Sequence, residues 1–333
     1  MGGSVSLIDF RQHCPLDVIT LGRAGVDLYA LEAGVDMVHV SGFKKSVGGS
    51  PANIAVAIAR QGGRVGVISC ISNDSLGRFV CHHLESYGVD LKGVKIDDSG
   101  SRTSLAVTEL KPSGCEVVIY RNNAADLTLR PDQISEDYIA SAKVLLVTGT
   151  ALSASPSREA TFTAIEFARK HKTVVVLDLD YRAYSWKSAA ESAAYYRMAA
   201  QQSDILIGNR EEFDVLEYLI DPHNTSDDKT AERFLTGETK IILLQAGERG
   251  SKAYCRDGHY FEQGIFPVEV MKPFGSGDSY AGTAILALIS GASLEQAVKM
   301  GSAAAAINVS KDSCTEAMPT SDELAAFIAE REE

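Results

Sequence analysis

The chain predicts an α/β fold in which helices cover both faces of a mainly parallel central sheet and a small second sheet projects from it. Three observations carry that expectation. Apolar, β-branched runs (VGVISCI, KVLLVTGT, TVVVLDLD, DILIGN and IILLQAG) recur with helical stretches such as SREATFTAIEFARKH and REEFDVLEYL between them. Strands buried on both faces read as such continuous runs, and right-handed crossovers through helices then cover the sheet. Residues 27–46 and 101–122 break the rhythm, and in the second stretch SLAVTEL and CEVVIY flank Lys111-Pro112-Ser113-Gly114 in a hairpin-like arrangement. These two stretches are expected to pair into a lid. The last third turns helical in SYAGTAILALIS, LEQAVKMGSAAAAINVS and DELAAFIAEREE, each with apolar residues spaced for one buried face.

No internal repeat, low-complexity tract or long linker divides the chain, so residues 1–333 read as one domain. Its lid is drawn from about 27–46 and 101–122, and its larger α/β part from about 17–26, 47–100 and 123–325. The 45% hydrophobic and 23% charged composition is that of a globular protein. No apolar run reaches the roughly 18 residues of a membrane span, so no membrane partner is expected. MGGSVSLIDFRQHC lacks the basic segment and apolar core of a secretory leader, which makes the cytoplasm the expected setting. Cys14, Cys70, Cys81, Cys115, Cys255 and Cys314 are scattered, without the close pairing of a zinc or dithiol site. A formal net charge of −12 argues against nucleic acid as a partner. An anionic ligand must then be held locally, by glycine loops, helix N-termini or individual arginines.

The most informative segment is Lys272-Pro273-Phe274-Gly275-Ser276-Gly277-Asp278-Ser279, which sets two glycines and an aspartate just before a strongly helical run. The amides of Gly275, Ser276 and Gly277, added to the helix dipole, suit an anion hole for a transferring phosphoryl group, with Asp278 facing an acceptor hydroxyl. A plain helix cap is the alternative. A second segment, Gly48-Gly49-Ser50-Pro51-Ala52-Asn53, places two glycines and Pro51 at a helix start. It lets a small ligand approach bare backbone at Gly48 and Gly49, while Asn53 can both donate and accept. A simple turn before a helix is the alternative there.

Taken together, in this order and at this separation, the two segments resemble the signatures of the ribokinase-like, or PfkB, carbohydrate kinases, over about residues 17–325. The resemblance implies a three-layer α/β/α sandwich with a β-sheet lid, ATP as co-substrate with Mg2+, Asp278 as catalytic base and Gly275 to Gly277 as the anion hole. Ser276 stands where the family more often has alanine, a change small enough to preserve the backbone. Asn209-Arg210-Glu211-Glu212 is similar to the family's Asn-x-x-Glu motif, which implies Asn209 near the nucleotide phosphates and Glu212 on magnesium through water. A solvated acidic helix start is the alternative for Glu212. Gln245-Ala246-Gly247-Glu248-Arg249-Gly250 resembles the glycine turn beneath the nucleotide, which gives Gln245, Gly247 and Gly250 as nucleotide-binding residues, with Asn308 near the adenine. A homodimer through the lid is implied as well, and activation by a monovalent cation is left open.

Asp27, which the pattern puts at the end of the strand VITLGRAGV, matches the family aspartate that binds sugar hydroxyls; a salt bridge to Arg23 is the alternative. Arg121 and Arg182 each follow an apolar strand. A guanidinium is shaped for a planar carboxylate, and a neutral sugar needs no such pair. Structural salt bridging is the commoner fate of arginine. Both positions resemble the family branch that phosphorylates keto-deoxy sugar acids, which makes a sugar acid the expected substrate. Another keto-deoxy acid, a neutral sugar or a nucleoside remains the alternative acceptor, and a catalytically silent sugar sensor the alternative of another class. Gly22-Arg23-Ala24-Gly25 lacks the dinucleotide spacing, and no P-loop motif occurs.

Overall fold

The computed structural model describes residues 8–331, so the first half of the segment read for a leader, 1–7, lies outside the described residues. In chain order the elements are β1 (Leu16–Leu21), β2 (Gly25–Ala33), β3 (Phe43–Gly48), α1 (Ser50–Arg60), β4 (Val65–Ser72), α2 (Ser75–Ser86), β5 (Asp90–Asp97), β6 (Leu105–Leu110) and β7 (Val117–Tyr120). They continue with α3 (Glu136–Ala140), β8 (Ala142–Thr148), α4 (Ser157–Lys170), β9 (Val174–Asp178), α5 (Ala189–Ala200), β10 (Ile205–Asn209), α6 (Arg210–Glu217) and α7 (Asp227–Phe234). The last are β11 (Ile241–Gln245), β12 (Ser251–Cys255), β13 (Tyr260–Gln263), α8 (Ser276–Ile289), α9 (Leu294–Val309) and α10 (Ser321–Ala329).

The large sheet has the order β13-β12-β11-β10-β9-β8-β1-β4-β5. It is parallel from β11 to β5, and β12 and β13 add an antiparallel edge. Alternation along its strands feeds two cores. Val144, Leu146 and Val176 pack with α1 and α8 on one face, while Leu145, Val147 and Leu177 pack with α4 and α5 on the other. That two-sided burial is why the strands read as unbroken apolar runs. The β12–β13 hairpin escaped the sequence pattern, although Asp257-Gly258 at its turn is a strong hairpin signal.

The second sheet has the order β3-β2-β6-β7. The run VITLGRAGV is not one strand. It breaks at Gly22, whose φ of 143° turns the chain out of the large sheet, and a Cβ there would lie 2.7 Å from Thr148 Oγ1 and 2.9 Å from Pro51 Cγ. Asp27 therefore lies within β2, opposite Ser46 of β3 and Ala106 of β6, rather than at the end of a central strand.

Helices α1 and α8 come close enough to touch because residue 282 is glycine; a Cβ there would sit 2.9 Å from Ala57 Cβ and 3.0 Å from Ile54 O. Overfilling such a contact destabilises by about 1–3 kcal/mol. Gly282→Leu is expected to lower the melting temperature and, by parting the two helices, to reduce turnover more than nucleotide affinity. An unchanged melting temperature and turnover would show that this contact does not set the approach of α1 and α8.

Candidate active site

Helix α8 begins at Ser276, one turn earlier than its apolar pattern suggests, so Ser276, Gly277 and Asp278 form its first turn. Its N-cap is Gly275, at φ 87°, and no side chain caps the helix. A Cβ on Gly275 would lie 2.7 Å from both Asn308 Oδ1 and Cys314 Sγ, so glycine is required there by space as well as by conformation. The first-turn amides have no partner within the helix and lie at the positive end of its dipole, as an anion site needs. The plain-cap alternative for Asp278 fails. Its carboxylate turns instead to α1, where Ser50 Oγ donates to Oδ1 at 2.5 Å and Asn53 Nδ2 to Oδ2 at 2.7 Å. Burial and then the negative charge of Asp180 raise its pKa to about 6, against the two hydrogen bonds and Arg182.

Two clefts meet at this helix end. The first, about 330 Å3, is lined by Asp27, Gly49, Ser50, Asn53, Arg121, Arg182, Gly275 and Asp278, with Arg23, Tyr184 and Phe274 among its other walls. The small sheet closes one side through Tyr29 of β2, Ala106 and Thr108 of β6, and Val117 and Ile119 of β7, alternate residues of each strand. The second cleft, about 680 Å3, is lined by Gln245, Gly247, Gly250, Ser276, Ser302, Ala305, Ala306 and Val309, and Pro112 from the β6–β7 turn reaches it. Gln245 also stands beside the anion loop, since a Cβ on Gly277 would be 3.2 Å from its Oε1.

Several residues stand differently from their sequence reading. Gly48 does not face the first cleft, because the space beside it is filled by the Asp27 carboxylate, which a Cβ would overlap. Asn308 does not face the second. On α9 the residues 302, 305, 306 and 309 share the cleft face at helical spacing, and Asn308 points elsewhere, fully buried, accepting from Lys272 Nζ at 2.8 Å and donating to Cys314 O at 2.9 Å. Asp27 makes the salt bridge named as its alternative, 3.0 Å from Arg23 Nη2, and accepts from Tyr29 at 3.3 Å, while still lining the cleft.

Both arginines also carry ion pairs within the cleft wall. Arg121 is buried, giving Nε and Nη2 to Asp126 Oδ2 at 2.9 and 2.6 Å and Nη2 to Thr150 O at 3.1 Å. Arg182 pairs with Asp180 at 2.8 Å and remains half exposed. Asp180 in turn accepts from Thr150 Oγ1 at 3.0 Å. Residues the sequence reading left without a role, Ser50, Thr150, Asp180 and Phe274, are thus part of the cleft. Asp180 was legible as the second acid of Asp178-Leu179-Asp180-Tyr181-Arg182, whereas Ser50 meets Asp278 across 228 positions.

Asn209 and Glu212 form a capping box at the start of α6, with Glu212 N donating to Asn209 Oδ1 at 3.0 Å and Asn209 N to Glu212 Oε2 at 2.8 Å. Tyr181 N donates to Glu212 Oε1 at 3.1 Å. Glu212 is buried, not a solvated helix start, and burial raises its pKa to about 7. Among the described residues no group of three acids, histidines or cysteines is placed to hold a metal. Asn209 and Glu212 are not among the residues that line either cleft, and a magnesium ion carried in on nucleotide phosphates needs few protein ligands.

Known proteins resemble this chain over nearly its whole length. Residues 16–321 match the family model described as pfkB family carbohydrate kinase. The chain is 59% identical to a 5-dehydro-2-deoxygluconokinase of Photobacterium profundum, over 98% of each chain. It is 48% identical to 5-dehydro-2-deoxygluconokinase 2 of Bacillus cereus, over 97% of this chain and 98% of the relative. A double-mutant fructokinase from Vibrio cholerae, solved with fructose, ADP and potassium ion bound, superposes with a TM-score of 0.81 at 24% identity, over 95% of this chain and 99% of that one. The chain therefore belongs to the pfkB family of carbohydrate kinases.

Proposed function

We propose that the protein transfers the γ-phosphoryl group of ATP to the terminal C6 hydroxyl of 5-dehydro-2-deoxygluconate, giving the 6-phosphate and ADP in the catabolism of inositol. The observation that carries this reading is the position of Asp278, at the uncapped N-terminus of α8 where the two clefts meet. The substrate assignment rests on the names of relatives at 59% and 48% identity, together with the arginines of the first cleft.

The sugar acid occupies the first cleft, with its carboxylate toward Arg182 and Arg121 and its hydroxyls toward Asn53 and Asp27. Ser50 and Asn53 each donate to one oxygen of Asp278, which fixes the carboxylate and leaves a lone pair on each for the C6 hydroxyl. Asp278 accepts that proton as the alkoxide oxygen attacks the γ-phosphorus. The first-turn amides of α8 receive the charge spread over the phosphoryl oxygens, and ADP leaves along the second cleft past Gln245 and Gly247. Magnesium, when bound with ATP, neutralises phosphate charge. Closure of the small sheet over the acid, as a lid drawn from 27–46 and 101–122, excludes water from the transfer.

An assay of ADP release with MgATP and a panel of 5-dehydro-2-deoxygluconate, 2-keto-3-deoxygluconate, ribose, fructose and adenosine tests the assignment. Selective turnover of the first acid is expected, and Arg182→Met should raise its KM by about 10- to 100-fold, the value of a charge-assisted hydrogen bond. Preference for a neutral sugar would overturn the carboxylate reading, and no turnover of any of them would favour a binding-only sensor. Because the base must be ionised and Asp278 is raised to about 6, kcat/KM should fall about tenfold per pH unit below that value. A limb in the ordinary carboxylate range would contradict Asp278 as base.

A cytoplasmic setting, suited to ATP use and to six free cysteines, and a homodimer through the lid complete the proposal. Phe43, Val118 and Tyr120 are exposed on the face of the small sheet turned from the cleft, by strand alternation. Light scattering is expected to give twice the chain mass of 35.6 kDa, and a monomer would refute the dimer.

A further inference from the structure

Lys272 is a fully buried ammonium for which the transfer reaction as described has no use. No carboxylate among the described residues lies within ion-pairing distance of it. Its Nζ donates instead to three oxygens, Phe274 O at 2.7 Å, Asn308 Oδ1 at 2.8 Å and Asn308 O at 3.1 Å. None of the three can donate. The Asn308 amide is oriented by its own nitrogen, which donates to Cys314 O at 2.9 Å, so Oδ1 must face the lysine. Three acceptors require three N–H bonds, and only the charged ammonium supplies them. Burial pulls the lysine pKa down, and the nearby Cys314, Asp278 and Asp312 act against that pull.

A buried charge held only by neutral oxygens is costly unless its position has compensation. Two features supply it. Asn308 is in the last turn of α9, where the negative end of the helix dipole favours a cation. Phe274, whose carbonyl accepts from the lysine, immediately precedes Gly275, the left-handed N-cap of α8, and the free face of Gly275 abuts the same Asn308 Oδ1. The lysine therefore ties the anion loop to the end of α9 and sets a fixed positive charge beside the site where phosphate charge develops.

We propose that Lys272 is a built-in monovalent cation, filling the oxygen cage behind the α8 anion loop and making phosphoryl transfer independent of added potassium. The cage has the composition that suits a bare monovalent ion, a small set of carbonyl oxygens, and the covalently attached ammonium already occupies it. An added ion does not fit there. Lys272 is a positioning residue, since it acts through Phe274 and Asn308 on the loop and not on the substrate. The inference rests on the phosphotransferase reading of the same site.

The test is turnover measured with MgATP and 5-dehydro-2-deoxygluconate in buffer whose only monovalent cation is tetramethylammonium, followed by replacement with potassium or ammonium at constant ionic strength. The wild-type protein is expected to turn over without either ion and to change by no more than about twofold on their addition, the scale of residual screening effects. Lys272→Ala is expected to lose about 10- to 100-fold in kcat, as for a weakened anion hole, with the sugar KM little changed. It should recover part of that loss with potassium or ammonium but none with tetramethylammonium. Wild-type turnover that requires potassium would overturn the inference, as would a Lys272→Ala enzyme with full kcat or one that no ion restores. If that variant fails to fold, the wild-type series decides alone. Absence of wild-type turnover under every salt would instead reject the kinase reading, so the two failures are distinguishable.

Discussion

The contact between the Asp278 carboxylate on α8 and the two donors of α1, Ser50 Oγ and Asn53 Nδ2, is the constraint on which the rest of the site depends. It joins segments 228 and 225 positions apart, on helices that pack closely at Gly282, where a side chain would meet Ala57 and Ile54. With the carboxylate drawn to α1, the first turn of α8 keeps its amides free for an anion. One interaction thus orients the Asp278 carboxylate and leaves the first turn of α8 without a side-chain cap. A side-chain cap on that turn would have satisfied the helix and removed the site.

Around this centre, charge is arranged as pairs. Arg23 is set by Asp27, Arg121 by Asp126 and Arg182 by Asp180, so each guanidinium is fixed before a ligand arrives. A side chain already immobilised loses little further freedom when a carboxylate binds, which is the sense in which such pairing serves recognition. One acid of these pairs also acts on Asp278. Asp180 is the main charged contribution to the raised pKa of Asp278, while Arg182 opposes it. The Arg182–Asp180 pair and the Asp278 carboxylate are therefore electrostatically coupled across a cleft of about 330 Å3.

Much of the fold was legible because two-sided burial writes itself directly into the strands: Val144 to Val147 feed both cores in turn, so no polar alternation interrupts the run. The Gly275 to Asp278 turn was legible because glycine and a first-turn acid are local requirements. What depended on packing was not. The need for glycine at 22, where the chain breaks, comes from Thr148 and Pro51, residues remote in the chain, so VITLGRAGV read as one strand and Asp27 was put at the wrong kind of strand. Asn308 belongs to the right helix but to the wrong face, and only the phase set by Ser302, Ala305 and Ala306 against the cleft reveals that. Gly48 read as room for a ligand, and the structure gives that room to Asp27. The acids that fix Arg121 and Arg182, Asp126 and Asp180, are close by in the chain, yet nothing local distinguishes a fixed arginine from a free one.

As the proposed base, Asp278 takes the proton of the acceptor hydroxyl while contributing little to holding the sugar. The decisive experiment compares Asp278→Asn with the wild-type protein in two measurements on the same preparations, calorimetric binding of 5-dehydro-2-deoxygluconate and single-turnover transfer from MgATP followed by phosphorus NMR. Binding is expected to stay within about tenfold, because Asn can keep one of the two α1 contacts, while transfer falls by about 10²- to 10⁴-fold, the usual contribution of a general base. Transfer at the wild-type rate in the Asn variant would contradict that role.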